Sequence, residues 1–362
     1  MRLGLRLAGA ARVVSILLCA SLAGCGGDSG QEPELIEGDA DPVAPMRDIS
    51  VEELWKSPGD GEHGFLTTEI LGGMVEVGER IWVGNPGEQN ILVLDRGGAV
   101  VGTVGRAGQG PGEFQTVASL AVDPAGLVAA YDVGAMSIQM FDANGEFRER
   151  IRVSLRVWNP KGFVATDDGF VISGGVQGSE YAIHRIDRAG ELVESWYQIP
   201  EPTDPNLDRQ TAASNALYVA GGPLDLAPDG SLLFSRAAPH AILRFARGRS
   251  AGEVLAQDNR LLESPVNTFT RMEFPKVFFD WSFPQSRGVY ALSQGHILNI
   301  VTFDAEDRSL WQLYELDGTP AGLGDVPRAY LTWSVTSAGT VLASYQDTDG
   351  EVYATEVQWT AR

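Results

Sequence analysis

Short apolar segments separated by turn-forming residues run along most of the chain, without the 3.6-residue period that marks an amphipathic helix. From about residue 48 onward, runs of β-branched and aromatic side chains end at Gly, Pro, Asp-Gly or Asn-Gly. Runs of this length and composition are typical of β-strands joined by tight turns. The pattern therefore predicts an all-β domain over residues 48–362.

One sequence unit recurs along this domain: an apolar strand, an Asp, one or two residues, a Gly and a second strand. It occurs at Asp95, Asp142 and Asp187, at a spacing of about 45 residues that is typical of repeat architectures. Weaker copies lie at Gly248 and Asp317. We expect a hairpin turn in each copy, because the Asp carboxylate accepts backbone N–H groups and Gly tolerates a positive φ.

A second hairpin is predicted before these units, over residues 120–128, 164–172, 224–233 and 334–342. Two hairpins in each repeat make one four-stranded antiparallel sheet, and a radial arrangement of such sheets is a β-propeller. About 315 residues at about 50 per blade give six blades. The repeat weakens after Gly248, so residues 249–275 are expected to be an insertion or a long interblade loop, with a seventh, eroded blade as the alternative.

The two ends of the domain predict how the ring closes. The last repeat supplies three strands, and an N-terminal strand at residues 49–55 is expected to add the fourth, which removes a free sheet edge.

Later in the chain, alternation within 277–283 predicts an inner strand packed between blades. The alternative is an exposed aromatic binding patch. The aromatic residues concerned are Phe274, Phe278, Phe279, Trp281 and Phe283.

The segment Val104–Phe114 reads Val-Gly-Arg-Ala-Gly-Gln-Gly-Pro-Gly-Glu-Phe. It resembles the link between blades of NHL-repeat six-bladed β-propellers, and the similarity to a family of bacterial six-bladed propeller lipoproteins covers residues 65–195. A phosphate-binding loop is not expected, since the segment lacks the Gly-Lys-Ser/Thr ending and a following helix. We expect a tight connection between blades, braced by a salt bridge between Arg106 and Glu113.

The first 24 residues have the pattern of an export signal. Three arginines precede an uncharged run over residues 13–24 that is too short to span a bilayer. The sequence Leu22-Ala23-Gly24-Cys25 resembles the lipobox of bacterial lipoproteins, which implies cleavage before Cys25 and acylation of that cysteine, for example with palmitate. By the same resemblance, Gly26 implies the outer membrane. The alternative is a plain signal peptide with an incidental cysteine.

Composition narrows the expected partners. Residues 25–47 are polar, acidic and rich in turn formers, which predicts a flexible tether with a reach of about 25 Å. The chain carries 48 acidic and 27 basic side chains, and its formal net charge of −21 opposes binding to nucleic acid. Its only cysteines, Cys19 and Cys25, are removed with the signal or acylated. The folded domain is therefore expected to hold neither a disulfide nor a cysteine zinc site.

Candidate catalytic chemistry is sparse. The four histidines have no metal-ligand spacing and no Gly-x-Ser-x-Gly motif occurs, so no catalytic residue is assigned. Calcium-dependent lactonases of six-bladed form hold their metal with acidic and amide side chains at the channel. That likeness makes Asp123, Asp168, Asp225 and Asp280 candidate Ca²⁺ ligands. The alternative for most of them is a turn cap.

These expectations favour a lipid-anchored, non-catalytic propeller of the bacterial cell envelope that binds a protein, peptide or glycan without a cofactor. The lipid bilayer would be contacted through acylated Cys25. The alternative is a metal-dependent, lactonase-like hydrolase or lyase that acts at the central channel. A cofactor-using dehydrogenase is disfavoured, because the blades lack a regular tryptophan docking motif.

Overall fold

The structure is a computed structural model. It describes residues 46–58, 73–199, 221–236, 240–257, 270–273, 276–279, 285–303, 306–349 and 351–362. These ranges contain strands and turns but no α-helix, and hence no helical segment that could cross a bilayer. The predicted signal segment and nearly all of the predicted tether, including Cys25, lie outside the described residues.

The first half of the domain forms three blades of four antiparallel strands each. The chain begins with strand β1 (Arg47–Lys56). Blade 1 consists of β2 (Met74–Val77), β3 (Arg80–Asn85), β4 (Asn90–Leu94) and β5 (Val100–Val104). A link follows with β6 (Arg106–Ala107) and β7 (Glu113–Phe114). Blade 2 consists of β8 (Val117–Val122), β9 (Val128–Asp132), β10 (Ser137–Phe141) and β11 (Phe147–Arg152). Blade 3 consists of β12 (Trp158–Thr166), β13 (Gly169–Gly175), β14 (Tyr181–Asp187) and β15 (Leu192–Gln198).

The second half adds three further blades and one hairpin. Blade 4 consists of β16 (Leu224–Leu226), β17 (Leu232–Arg236), β18 (Ala241–Phe245) and β19 (Gly252–Ala256). The hairpin consists of β20 (Thr270–Glu273) and β21 (Lys276–Phe279). Blade 5 consists of β22 (Gln285–Ala291), β23 (His296–Phe303), β24 (Arg308–Glu315) and β25 (Pro320–Val326). Blade 6 begins with β26 (Leu331–Val335), β27 (Val341–Gln346) and β28 (Val352–Ala361).

The first strand of each blade is its inner strand, and the six inner strands form a closed ring. They are β2, β8, β12, β16, β22 and β26, and each of them contacts the next in this order. The ring is completed by the contact between β26 and β2. The predicted six-bladed, all-β propeller is therefore confirmed, and a seventh blade is not needed to close it.

The N-terminal strand closes the ring as the sequence predicts. Strand β1 pairs antiparallel with β28, from Ile49 opposite Ala361 to Lys56 opposite Thr355, and so becomes the fourth strand of blade 6. It also pairs in parallel with β25 at Arg47 and Asp48, which was not predicted. Blades 5 and 6 are thereby joined in one eight-stranded sheet. Both sheet edges that would otherwise stay open at the closure are paired.

The Asp-x-x-Gly units are the hairpin turns that the sequence predicts. The Asp95 carboxylate accepts the N–H groups of Gly97 and Ala99 at 2.9 and 3.0 Å, and Gly98 has a φ of 80°. Asp142 and Asp187 make the same pair of hydrogen bonds in blades 2 and 3. The three turns, at equivalent positions in their blades, are thus stabilised in the same way, by an Asp carboxylate that accepts two backbone N–H groups.

Six apolar clusters form the core, one in each gap between neighbouring blades. Successive residues of a strand point to opposite faces, and both faces of a blade are covered. In β3, for example, Ile81 packs in the gap with blade 6 and Trp82 in the gap with blade 2. Each fully buried large apolar side chain contributes about 1.5–3 kcal/mol. Because both faces are buried, the strands are apolar on both faces and do not alternate strictly between apolar and polar residues.

Two sequence predictions between blades 4 and 5 are corrected. Residues 249–275 are not one insertion, because Gly252–Ala256 within them is the outer strand β19 of blade 4. The described part of the predicted inner strand over 277–283, residues 277–279, lies instead in β21, which pairs with β20 in a local hairpin, and the inner strand of blade 5 is Gln285–Ala291. Apolar alternation is the same in a local hairpin as in an inner strand, so the sequence pattern could not distinguish them.

Candidate functional site

The axial channel is narrow where the inner strands begin. Gly73, just before β2, and Gly162, within β12, allow neighbouring inner strands to approach closely: a Cβ at Gly73 would lie 2.8 Å from the Leu120 nitrogen, and one at Gly162 would lie 2.6 Å from the Leu224 nitrogen. Lys161 Nζ lies 3.5 Å from Gln285 Oε1, which connects the inner strands of two blades that are not neighbours. This narrow end is therefore crossed by a side chain and tightly packed.

The channel is wide where the inner strands end. A cavity of about 800 Å³ lies there, within the range of small-molecule sites. Every inner strand lines it, and most of these side chains are apolar. One representative from each inner strand, in chain order, is Val75, Leu120, Phe163, Leu224, Tyr290 and Trp333. Over blades 5 and 6 the lining becomes polar through Ser293, Gln294, Thr336, Ser337, Gln358 and Thr360. We call this space the axial cavity.

Asp225 lies on inner strand β16 and lines the axial cavity. It keeps some accessible surface, yet protein encloses its carboxylate, and this desolvation raises its pKa to about 6. The backbone N–H groups of Ala291, at 2.8 Å, and of Leu226 oppose the rise. Tyr290 is adjacent: burial raises the pKa of its phenol, and the negative charge of Asp225 adds to that shift. Asp225 is thus a carboxylate that titrates near neutral pH.

Glu76, on inner strand β2, is the second carboxylate of the axial cavity and behaves in the opposite way. Burial would raise its pKa, but hydrogen bonds from the Arg96 guanidinium and from the backbone and hydroxyl of Ser337 outweigh it, so the pKa is lowered. Arg96 and Ser337 come from blades 1 and 6. Glu76 is therefore a fixed negative charge that joins two blades.

The three described candidates for calcium ligands do not assemble into one site. Asp123 caps its own turn by accepting Ala125 and Leu127 N–H groups, and Arg188 lies 3.2 Å from it. Asp168 is exposed and accepts from the Thr166 hydroxyl, which lowers its pKa. Asp225 faces the axial cavity, and Asp280 lies outside the described residues.

Among the described residues, these candidates do not provide a calcium site. Calcium takes about six to eight oxygen ligands, several of them carboxylates. Over the described ranges, no three His, Cys, Asp or Glu side chains come together as a metal group. Glu76, the other carboxylate of the axial cavity, is already held by Arg96.

The three described histidines are held individually within the blades. His184 is buried, with Ser195 Oγ 2.9 Å from Nδ1 and the Gly174 carbonyl 3.2 Å from Nε2, and desolvation lowers its pKa. His240 Nε2 lies 3.0 Å from the Asn299 amide. His296 Nε2 lies 3.4 Å from Glu315. His63 is outside the described residues.

The glycine-rich segment is a structural link, as predicted. It connects β5 of blade 1 to β8 of blade 2, and Arg106 forms the expected salt bridge with Glu113 at 2.7 Å. Glu113 also accepts N–H groups from Gln109 and Gly110, and Gln139 of blade 2 receives Gly112 N–H at 2.8 Å. These partners occupy the groups that a phosphate would need.

Sequence reasoning did not find Glu76, Tyr290 or Trp333 as cavity residues. The first hairpin of blade 1 turns at Gly78 and Glu79, without the Asp-Gly signal that revealed other hairpins. A count of strands backward from Asp95 would have placed Glu76 on an inner strand. Tyr290 was hidden because the inner strand of blade 5 was predicted too early in the chain.

The ring of six blades around an axial cavity defines the chain as a six-bladed β-propeller. Comparison with known proteins agrees: residues 65–170 match a family model described as "6-bladed beta-propeller". No curated protein has a significantly similar sequence.

Solved structures share the fold at low sequence identity. A member of the duf4221 family from Bacteroides vulgatus has a TM-score of 0.58 and 10% identity, covering 88% of this chain and 100% of that one. A gluconolactonase from Xanthomonas campestris has a TM-score of 0.52 and 12% identity, covering 89% and 99%. A PQQ-bound aldose sugar dehydrogenase from Streptomyces coelicolor has a TM-score of 0.50 and 13% identity, covering 88% and 100%. At these identities the likeness concerns the fold alone.

Proposed function

We propose that this chain is a non-catalytic binding propeller that takes a segment of a protein, peptide or glycan into its axial cavity. The carrying observation is the size and lining of the axial cavity: about 800 Å³ bounded by all six inner strands, with apolar side chains in its wall and a polar flank of hydroxyls and amides. Such a surface suits a ligand with both apolar and hydrogen-bonding groups. Its two carboxylates are already bound to backbone or side-chain donors of the protein itself.

The proposal includes anchoring in the bacterial cell envelope through an acylated Cys25, at the outer membrane. The lipobox-like sequence before this residue supports it. Two or more acyl chains hold a protein on a bilayer, whereas one chain is marginal. In cells, the Cys25→Ala variant should move from the membrane fraction to the soluble fraction. Retention of the variant in the membrane fraction would contradict anchoring through Cys25.

Filling the axial cavity tests the binding function. Val122 lines the cavity and is 37% exposed, so Val122→Trp should block the mouth without disturbing the core. Val254 is an exposed valine on β19, and Val254→Trp is the matched control. A panel of neutral disaccharides and uncharged tripeptides, measured by saturation-transfer NMR, should include ligands that bind the parent and the control but not Val122→Trp. Equal binding to all three proteins would contradict the proposal.

One observation favours the metal-dependent hydrolase or lyase as a second candidate. A carboxylate whose pKa is raised to about 6 in a cavity is suited to exchange protons near neutral pH. Metal analysis of the purified protein separates the candidates. Stoichiometric calcium that is lost in Asp225→Asn would favour the enzyme.

A further inference from the structure

The axial cavity is not symmetric about the channel axis. In blades 1 to 4 only the inner strands line it, whereas in blades 5 and 6 its lining continues outward. His296 of β23 and Leu313 of β24 line it from blade 5, and Trp359 and Ala361 of β28 line it from blade 6. Arg47 adds a lining residue from β1, the fourth strand of blade 6. We call this outward part of the axial cavity, lined by these five residues, the radial arm.

The radial arm lies between blades 5 and 6. Leu313 belongs to the apolar cluster of that gap, and Trp359 and Ala361 pack against it. Three strand-to-strand steps separate inner strand β26 from β1, and neighbouring strands lie about 4.8 Å apart, so the arm extends about 14 Å from the inner strand. The pairing of β1 with β25 at Arg47 and Asp48 closes its outer end. An arm of this length suits an elongated ligand better than a compact one.

Two tryptophans offer apolar ring surface, one at the axis and one in the arm. Trp333 and Trp359 line the cavity and are partly exposed. Trp333 Nε1 donates to Ser344 Oγ at 3.1 Å, and Trp359 Nε1 donates to the Gly339 carbonyl at 2.9 Å. Because Nε1 is the only polar atom of an indole, the rings have carbon surface left for a ligand. The negative face of an aromatic ring attracts C–H groups such as those on the apolar side of a sugar ring.

The polar side chains of the cavity match the hydroxyl groups of a neutral sugar. Hydroxyl and amide side chains both donate and accept hydrogen bonds, as sugar hydroxyls do. Glu76 and Asp225 contribute carboxylates to the lining, and the chain has a formal net charge of −21, so an anionic sugar would be repelled. The exposed hydroxyl and amide residues of the lining are Ser293, Gln294, Ser337, Gln358 and Thr360.

The backbone of the arm disfavours an extended peptide. Such a peptide binds by adding main-chain hydrogen bonds to an open strand edge. Strands β23, β24, β28 and β1 are each paired on both sides, so the described strands of the arm present no open edge. A ligand in the arm must therefore be bound through side chains, which a glycan can use.

We propose that the ligand of the axial cavity is a neutral, linear oligosaccharide that extends from the channel axis into the radial arm. One sugar ring stacks on Trp333 at the axis, and a later ring stacks on Trp359 in the arm. Hydroxyls and amides of blades 5 and 6 bind the sugar hydroxyls, and Arg47 donates hydrogen bonds to the outer end. This inference rests on the binding function proposed for the axial cavity and names the class of its ligand.

Isothermal titration calorimetry on the purified protein compares ligands of different length and charge. The probes are maltotetraose, cellotetraose and tetra-N-acetylchitotetraose, each beside its own disaccharide. At least one tetrasaccharide should bind saturably and about tenfold more tightly than its disaccharide, because only the longer chain reaches the arm. Tetragalacturonate, which is anionic, should bind about tenfold more weakly than that tetrasaccharide.

Variants separate the arm from the axis. Ala361→Trp fills the arm and should lower the affinity for the tetrasaccharide about tenfold, to that of the disaccharide, whose binding stays unchanged. Val122→Trp fills the axial end and should abolish binding of both. Arg47→Ala changes an exposed side chain and should weaken only the tetrasaccharide, about threefold. The control is Ala99→Trp: Ala99 is exposed in blade 1 and does not line the cavity, so both sugars should bind as they do to the parent.

The inference is overturned if no tetrasaccharide binds saturably, if each binds only as tightly as its disaccharide, or if tetragalacturonate binds equally well. It is also overturned if Ala361→Trp and Arg47→Ala both bind the tetrasaccharide as the parent does. Tetra-alanine with blocked ends distinguishes this failure from a failure of the proposed function. If this peptide binds the parent but not Val122→Trp, and no sugar binds, the axial cavity is a binding site for a ligand other than a glycan. If neither sugars nor peptide bind, the proposed function is contradicted as well.

Discussion

The two ends of the axial channel are built from the same six strands and differ in what their side chains allow. Where the strands begin, glycines let neighbouring backbones come into contact, and Lys161 reaches across to Gln285. Where the strands end, larger apolar side chains and the turns that follow them leave about 800 Å³ open. At the narrow end, neighbouring inner strands therefore support one another by direct contact, whereas the wide end leaves the space in which the proposed ligand would bind. The following experiments test that division, from the largest expected effect to the smallest.

Adding a methyl group at the narrow end should lower the free energy of unfolding more than the other changes do. In Gly162→Ala, the new Cβ would lie 2.6 Å from the Leu224 nitrogen and 2.9 Å from the Gly222 oxygen, so two blades would have to separate. We expect a loss of about 3 kcal/mol in the free energy of unfolding, measured by urea denaturation. The control is Gly102→Ala, where nothing lies within 4 Å of the added Cβ. Equal stability of the two variants would show that the narrow end is not tightly packed.

At the wide end, Asp225→Asn should change how stability depends on pH. The pKa of Asp225 is raised from 3.8 to about 6 in the folded protein, so the unfolded chain loses this proton first as pH rises. The contribution of Asp225 to the free energy of unfolding is therefore fully present below about pH 4. It falls as pH rises to about 6, by at most about 3 kcal/mol.

The Asp225→Asn variant should lack this fall and be more stable than the parent at pH 7. Its amide oxygen can still accept the Ala291 N–H. Urea denaturation at pH 4, 5, 6 and 7 provides the measurement. Parallel stability profiles for variant and parent would mean that water reaches the carboxylate freely at the wide end.

Glu76→Gln should change the free energy of unfolding by a smaller amount than Asp225→Asn. At pH 7 it should destabilise the protein, whereas Asp225→Asn should stabilise it. The pKa of Glu76 is lowered by Arg96 and Ser337 against the effect of burial, so its stabilisation is present above the ordinary glutamate pKa and is lost as pH falls through the lower value. We expect Glu76→Gln to be about 1 kcal/mol less stable than the parent at pH 7, with the difference shrinking below about pH 4.

The control for this variant is Glu79→Gln, which removes the same charge from a neighbouring exposed turn position. Thermal unfolding over the same pH range should leave Glu79→Gln close to the parent. If Glu76→Gln behaved in the same way, the link between blades 1 and 6 through Glu76 would contribute nothing to closing the ring.

Much of the fold could be predicted because its turns carry local signals. Asp95, Asp142 and Asp187 set the repeat, and the incomplete last repeat pointed to the N-terminal closing strand. The prediction was wrong in blade 5, whose first hairpin turns at Ser293-Gln294-Gly295 without an Asp. An aromatic-rich hairpin just before it supplied a competing strand pattern.

The site was less predictable, since its contacts join residues far apart in the chain. Asp225 was among the candidates because it lies on an inner strand, but its raised pKa depends on enclosure by blades 4 and 5. Glu76 depends on Ser337, 261 positions away.

Strand β1 has a mechanical consequence. It follows the N-terminal segment directly, and it is also the seam between the first and last parts of the ring. Any pulling force on the N-terminus would act on this seam first. Because β1 is hydrogen-bonded to β28 on one side and β25 on the other, the load would be shared by two blades instead of peeling one edge strand from the molecule.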